Sequence, residues 1–127
     1  MKFAIALFSA AHAPSSRRAL LFAQAALAGG HEIVRLFFYQ DGVYNSTDFN
    51  LPASDEYDVV KGWKQLAAEH QVSLVNCVSA ALRRGIVSQQ EAQENGLSHW
   101  NVERSFIMGG LGELVTGIES ADRLICF

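Results

Sequence analysis

Residues 2–39 read KFAIALFSAAHAPSSRRALLFAQAALAGGHEIVRLFFY, and the periodicity of this stretch changes twice. Lys2 to Phe8 is a short apolar run bounded by Ser9 and small residues, the pattern of a strand buried on both faces. From Ser16 onward Ala19, Leu20, Phe22, Ala23, Ala26 and Leu27 recur at helical spacing, and Gly29-Gly30 supply a stop. His31 to Tyr39 then carries Ile33, Val34, Leu36, Phe37 and Phe38, a second apolar strand. A strand, a helix and a second strand over this length make a right-handed βαβ unit, which implies a parallel sheet.

The rest of the chain repeats that alternation. Gln40 to Glu56 is rich in Asp, Asn, Ser and Gly and reads as a long loop too polar for the core. Asp55 and Asp58 precede an apolar stripe of Val59, Val60, Trp63, Leu66 and Ala67, a second helix ending near His70. Val72 to Val75 is expected as a third strand that delivers Cys77 to its carboxyl end. Ser79 to Arg84 allows one or two helical turns before Gly85, and Ser88-Gln89-Gln90-Glu91 reads as a capping box for a short helix closed by Asn95-Gly96. Phe106 to Met108 is a brief fourth strand, Gly110 to Glu119 a last helix and Arg123 to Phe127 a final strand. The expected architecture is α/β: residues 1–127 as a single domain, with a mostly parallel sheet of about five strands and helices on both faces, in the flavodoxin-like manner. Such sheets place chemistry beyond the carboxyl ends of their strands, here the loops after Phe8, Tyr39, Asn76 and Met108.

Length and composition agree with one compact domain. The chain has 127 residues, and with Gly counted in place of Tyr about 55% of them are apolar, above the usual 45 to 50%, while the 18% charged falls below the usual 25%. That surplus in a small domain points to surface covered by partner subunits. Ten basic and 13 acidic residues give a net charge of −3, which disfavours a stand-alone nucleic-acid binder. Two cysteines fall far short of a disulfide framework and fit a reducing cytoplasm. The amino-terminal run has only Lys2 as a basic residue and is not read as a signal peptide, and no apolar stretch is long enough to cross a bilayer.

Cys77 is the sharpest chemical candidate. A cysteine where a strand gives way to a helical turn has backbone amides and a positive dipole end available to stabilise a thiolate, and Arg83 or Arg84 could turn back to add charge. The competing reading is a buried cysteine acting as a small hydrophobe. Cys126, between Ile125 and Phe127, is read as core packing. His12, His31, His70 and His99 are scattered without metal-ligand spacing, and His12 is read as a solvated loop residue. Gly109, Gly110 and Gly112 suit a strand-to-helix turn; they fail the dinucleotide fingerprint and lack a P-loop lysine. Ser9, Ser15 and Ser16 are read as caps for the first helix, and Asp41, Asp48, Asp55, Glu56 and Asp58 as a solvated surface.

The segment Cys77-Val78-Ser79-Ala80-Ala81-Leu82-Arg83-Arg84-Gly85 resembles the cysteine segment of the DsrE-type sulfurtransferases, in particular their TusD branch. So do Phe37-Phe38-Tyr39 running into Asp41-Gly42-Val43-Tyr44-Asn45, then Pro52-Ala53-Ser54-Asp55-Glu56, the glycine turn at Gly109 to Gly112 and the Ala121-Asp122-Arg123 ending. The resemblance spans essentially the whole chain and implies one catalytic residue, Cys77. It implies a cytoplasmic relay without a cofactor, in which Cys77 holds sulfane sulfur as a persulfide and passes it on for 2-thiolation of the tRNA wobble uridine. Implied partners are TusB-like and TusC-like subunits in a heterohexamer, a TusA-like donor and a TusE-like acceptor, with no direct contact to nucleic acid or membrane. It also extends to DsrE-type subunits of sulfur oxidation, which is the alternative pathway, and a non-catalytic scaffold subunit is the further alternative. Thiolate chemistry of this kind calls for a partly exposed sulfur and a docking surface, and the Tyr39 to Glu56 loop has the polarity and length for docking.

Overall fold

The computed structural model describes residues 1–127. Strands β1 (Lys2–Leu7), β2 (Glu32–Phe38), β3 (Leu74–Cys77), β4 (Phe106–Gly109) and β5 (Arg123–Cys126) form one sheet, every pairing parallel, in the order β4-β3-β2-β1-β5. The connections step from β1 to β4 in one direction; the last, through α5 (Leu111–Ser120), returns across the sheet to the far edge. Right-handed crossovers therefore put α1 (Pro14–Ala28) and α2 (Val59–His70) on one face and α5 on the other. Packing agrees: Phe22 of α1 meets Phe3 edge-on at 5.4 Å, and Trp63 of α2 meets Phe38 at 5.5 Å. On the opposite face Glu113 of α5 reaches Arg35 at 3.2 Å.

The helices begin and end where local chemistry sets them. Asp58 caps α2 by accepting from the Lys61 amide at 3.1 Å, and Gln71 ends it in the left-handed region at φ 56°. The capping box is present on α4 (Gln89–Glu94), where Ser88 and Glu91 exchange side-chain and backbone bonds. The first helix departs from expectation. It starts at Pro14, which needs no amide donor at a helix's first position, and Ala13 caps it without a side-chain bond. Ser16 is buried one turn in and donates to the carbonyls of Ser9 at 2.9 Å and Ala10 at 2.7 Å, so it folds the preceding loop down instead of capping.

Two further boundaries move. The third strand is Leu74–Cys77, not Val72 to Val75, because the polar Asn76 continues the ladder opposite Phe38 and Met108. The long polar stretch is also less exposed than its composition suggests. Gln40–Ser46 forms a 3-10 helix in which Gly42, Val43, Asn45 and Ser46 are buried. A Cβ at Gly42 would fall on the Leu7 carbonyl oxygen, so only glycine fits where this turn crosses the end of β1. Beyond it the segment is open, with Phe49 and Leu51 exposed.

Candidate functional site

Cys77 closes β3 and caps the amino-terminal end of α3 (Val78–Arg83). Its ladder partner on β4 is Gly109, and one step beyond the Phe38–Asn76 pair the register sets Tyr39 level with it on β2. Tyr39 continues that strand by donating its amide to Leu7 O at 2.9 Å. Side chains alternate across a sheet, so Asn76 turns toward α2 while Val75, Cys77 and Gly109 share the α5 face. A Cβ at Gly109 would meet Val75 Cγ1 at 2.9 Å and Glu113 Cγ at 3.0 Å, so the position next to Cys77 carries no side chain and the start of α5 closes against it.

The sulfur is more enclosed than a transfer residue needs. Cys77 is 3% exposed and belongs to the buried core, against the expectation of partial exposure. The cause is its place in the layers: β3 is an inner strand buried at all four residues, and α3 begins without an intervening loop. Of the two arginines, Arg83 is exposed, and Arg84 turns to Asp41, Nε to Oδ1 at 2.9 Å, and to the Ala80 carbonyl at 3.1 Å. That ion pair ties the end of α3 to the 3-10 turn.

A polar network the sequence reading missed holds these carboxyl-end loops together. Asn45 donates from Nδ2 to Ser9 O at 3.0 Å and Gly42 O at 2.9 Å, and its Oδ1 accepts from Trp63 Nε1 at 3.0 Å. Ser46 donates to Val43 O at 2.7 Å and accepts from Asn76 Nδ2 at 2.6 Å. Asn45, Ser46 and Asn76 are fully buried, and Asn76 Oδ1 has no partner. The one sequence signal was Asn76 itself, since a polar side chain inside a doubly covered strand requires a buried partner.

The other candidates do not gather around Cys77. Cys126 lies on the opposite edge strand and is exposed, contrary to its reading as core. β5 pairs only with β1, and the face that Cys126 shares with α5 is left open beyond the helix. All four histidines are exposed. His12 lines a cavity of about 340 Å³ with Asp41, Tyr44 and Phe49 among others, and Cys77 is not among its lining residues. Gly110 caps α5 and Gly112 lies inside it, as a strand-to-helix turn requires. No helix is long and apolar enough to cross a membrane.

The chain thus joins a single parallel sheet in the order β4-β3-β2-β1-β5 to a cysteine where β3 meets a short helix. The model of the DsrE/DsrF-like family matches residues 1–127. The chain belongs to that family. Within it the chain is TusD-like: it is 49% identical over 127 residues to a protein of Pseudomonas aeruginosa named sulfurtransferase TusD homolog, covering 100% of this chain and 97% of the relative. A protein of the same name from Vibrio parahaemolyticus is 49% identical over 113 residues, 89% of this chain and 86% of the relative. The crystal structure of the ychN protein from E. coli superposes with a TM-score of 0.70 at 18% identity, covering 99% of this chain and 97% of that one. That likeness shows the DsrE-like fold, and the sequence relatives give the family branch.

Proposed function

We propose that this chain is a cytoplasmic sulfurtransferase subunit that carries sulfane sulfur on Cys77 in the 2-thiolation of the tRNA wobble uridine. The observation that carries the reading is Cys77 at the carboxyl end of β3, opposite the bare Gly109, in a chain of TusD-like sequence. In the transfer, the Cys77 thiolate attacks the terminal sulfur of a donor Cys–S–SH, the donor S–S bond breaks, and the donor leaves as a thiolate. Cys77–S–SH then loses its terminal sulfur to an acceptor thiolate, which regenerates the Cys77 thiolate. Both steps are thiol exchanges with no net oxidation and no cofactor. The donor is TusA-like, the acceptor TusE-like, and TusB-like and TusC-like sister subunits complete a heterohexamer. With a net charge of −3 the chain serves tRNA without binding it.

Burial requires that the thiol be uncovered during transfer. The helix that Cys77 caps is short: α3 has six residues, and its end is fastened by the Arg84–Asp41 pair at the protein surface, half-buried at Arg84 and exposed at Asp41. The same burial favours a second reading, in which the chain is a non-catalytic scaffold subunit and Cys77 fills space. One experiment separates them. The purified chain, alone and with sister subunits, is incubated with a protein persulfide donor and weighed intact. A gain of one sulfur that is lost in Cys77→Ser and kept in Cys126→Ser supports the relay; no donor-dependent gain, or an equal gain in wild type and Cys77→Ser, in every mixture establishes the scaffold.

A further inference from the structure

Cys77 lies on the α5 face of the sheet, and the first turn of α5 stands over its ladder partner. A Cβ at Gly109 would meet Glu113 Cγ at 3.0 Å and Glu113 Cβ at 3.6 Å, so the Glu113 stem fills the space that a side chain at position 109 would take. Paired strands run about 4.8 Å apart, which sets that stem one strand spacing from Cys77, the residue paired with Gly109. The Glu113 carboxylate then reaches Arg35 Nη2 on β2 at 3.2 Å, and between β4 and β2 lies β3. The side chain is thus a strap laid across the strand that carries the sulfur. Little else holds the turn down. Gly110 caps α5 without a side-chain bond, and a Cβ at Gly110 or Gly112 would meet open space. Two glycines at its start weaken the helix there, and the firmer contacts come further along, where Leu114 packs on the core and Gly117 closes on the Arg35 stem. The pair itself is a single contact, for Arg35 Nε is buried without a partner.

We propose that Glu113 is a positioning residue for Cys77: its pairing with Arg35 clasps the first turn of α5 over the sulfur, and release of the pair opens the sulfur to a reacting thiol. The inference deepens the relay reading and rests on it for the use of such a gate, which shields a carried sulfur between transfers. The Glu113 side chain is half exposed, and ion pairs of that kind shift an equilibrium by a small factor, so the gate opens without unfolding the domain. Glu113 takes no part in the bond exchange; it sets how often the sulfur can be reached.

The test is the rate at which iodoacetamide alkylates Cys77 in the native full chain, read by peptide mapping so that Cys126 is scored apart. Glu113→Gln removes the charge and keeps the stem, whereas Glu113→Asp keeps the charge and draws it back by one methylene. Both are expected to speed Cys77 by about 2–5-fold, the factor that loss of one partly exposed ion pair allows. Arg35→Met keeps an apolar stem under Gly117 and should speed it equally, with the Arg35→Met, Glu113→Gln double variant no faster than either single change, because one contact is broken once. These variants separate access from thiol ionisation: an effect on ionisation alone would speed Glu113→Gln, slow Arg35→Met and leave Glu113→Asp unchanged or slower, and that pattern overturns the proposal. Unchanged rates in folded Glu113→Gln and Glu113→Asp, checked by circular dichroism, overturn it too. In the wild type, opening of one turn exposes little surface, so the rate should stay flat in low urea; a rate that climbs with urea along the global unfolding curve means that Cys77 is reached only by unfolding, and the clasp falls. Persulfide loading of Cys77 is a separate measurement, so the relay and the clasp can each fail alone.

Discussion

Replacing Asn45 by alanine removes the group that joins three elements at the carboxyl end of the sheet. The side chain gives Nδ2 to Ser9 O and Gly42 O and accepts the Trp63 indole through Oδ1. Ser9 O keeps its bond from Ser16, so it stays partnered. The Trp63 N–H and the Gly42 carbonyl lose their side-chain partner inside a core where Trp63 is fully buried. Each buried group left without a partner costs about 1–3 kcal/mol, so the expected loss is about 3–4 kcal/mol, a large part of the 5–15 kcal/mol typical of a domain. For a chain of this length that corresponds to a fall in Tm of about 10–15 °C. Thermal and urea unfolding followed by circular dichroism measure it. Asn45→Asp is expected to be no better, because its carboxylate keeps the indole bond but faces the Ser9 and Gly42 carbonyls. A loss below about 1 kcal/mol in Asn45→Ala, or an Asn45→Asp chain as stable as the parent, would show that Asn45 does not act as the double donor described.

Other outcomes test other parts of the fold. In the native isolated chain, Cys126 is expected to alkylate quickly and Cys77 slowly, with the gap closing in denaturant; peptide mapping that finds equal native rates contradicts the burial of Cys77. Gly42→Ala forces a Cβ onto Leu7 O and should cost more than about 3 kcal/mol, measured by soluble yield and urea midpoint. Ser88→Ala removes half of a capping box and should cost about 1 kcal/mol in the same assay. Asp41→Asn breaks an ion pair at the protein surface and should cost under about 1 kcal/mol; because it loosens the end of the short helix that Cys77 caps, the same variant is expected to alkylate faster at Cys77.

The amino-acid sequence by itself determined the order of strands and helices, the parallel sheet and the cysteine at the end of β3. Those follow from periodicity and from residues such as Asp58, Ser88 and Gly96, whose effect is spent within one turn of chain. Tertiary structure decided what depends on contacts across the fold. Polar Asn45, Ser46 and Asn76 are core residues because they find one another and Trp63, which neighbouring residues cannot reveal. Apolar Leu111, Val115, Leu124 and Cys126 stand in solvent because the last crossover returns to the far edge and leaves α5 alone on its face. Burial is a property of which layer covers which, and a run of hydrophobic residues is the same whether its cover comes from this chain or from another.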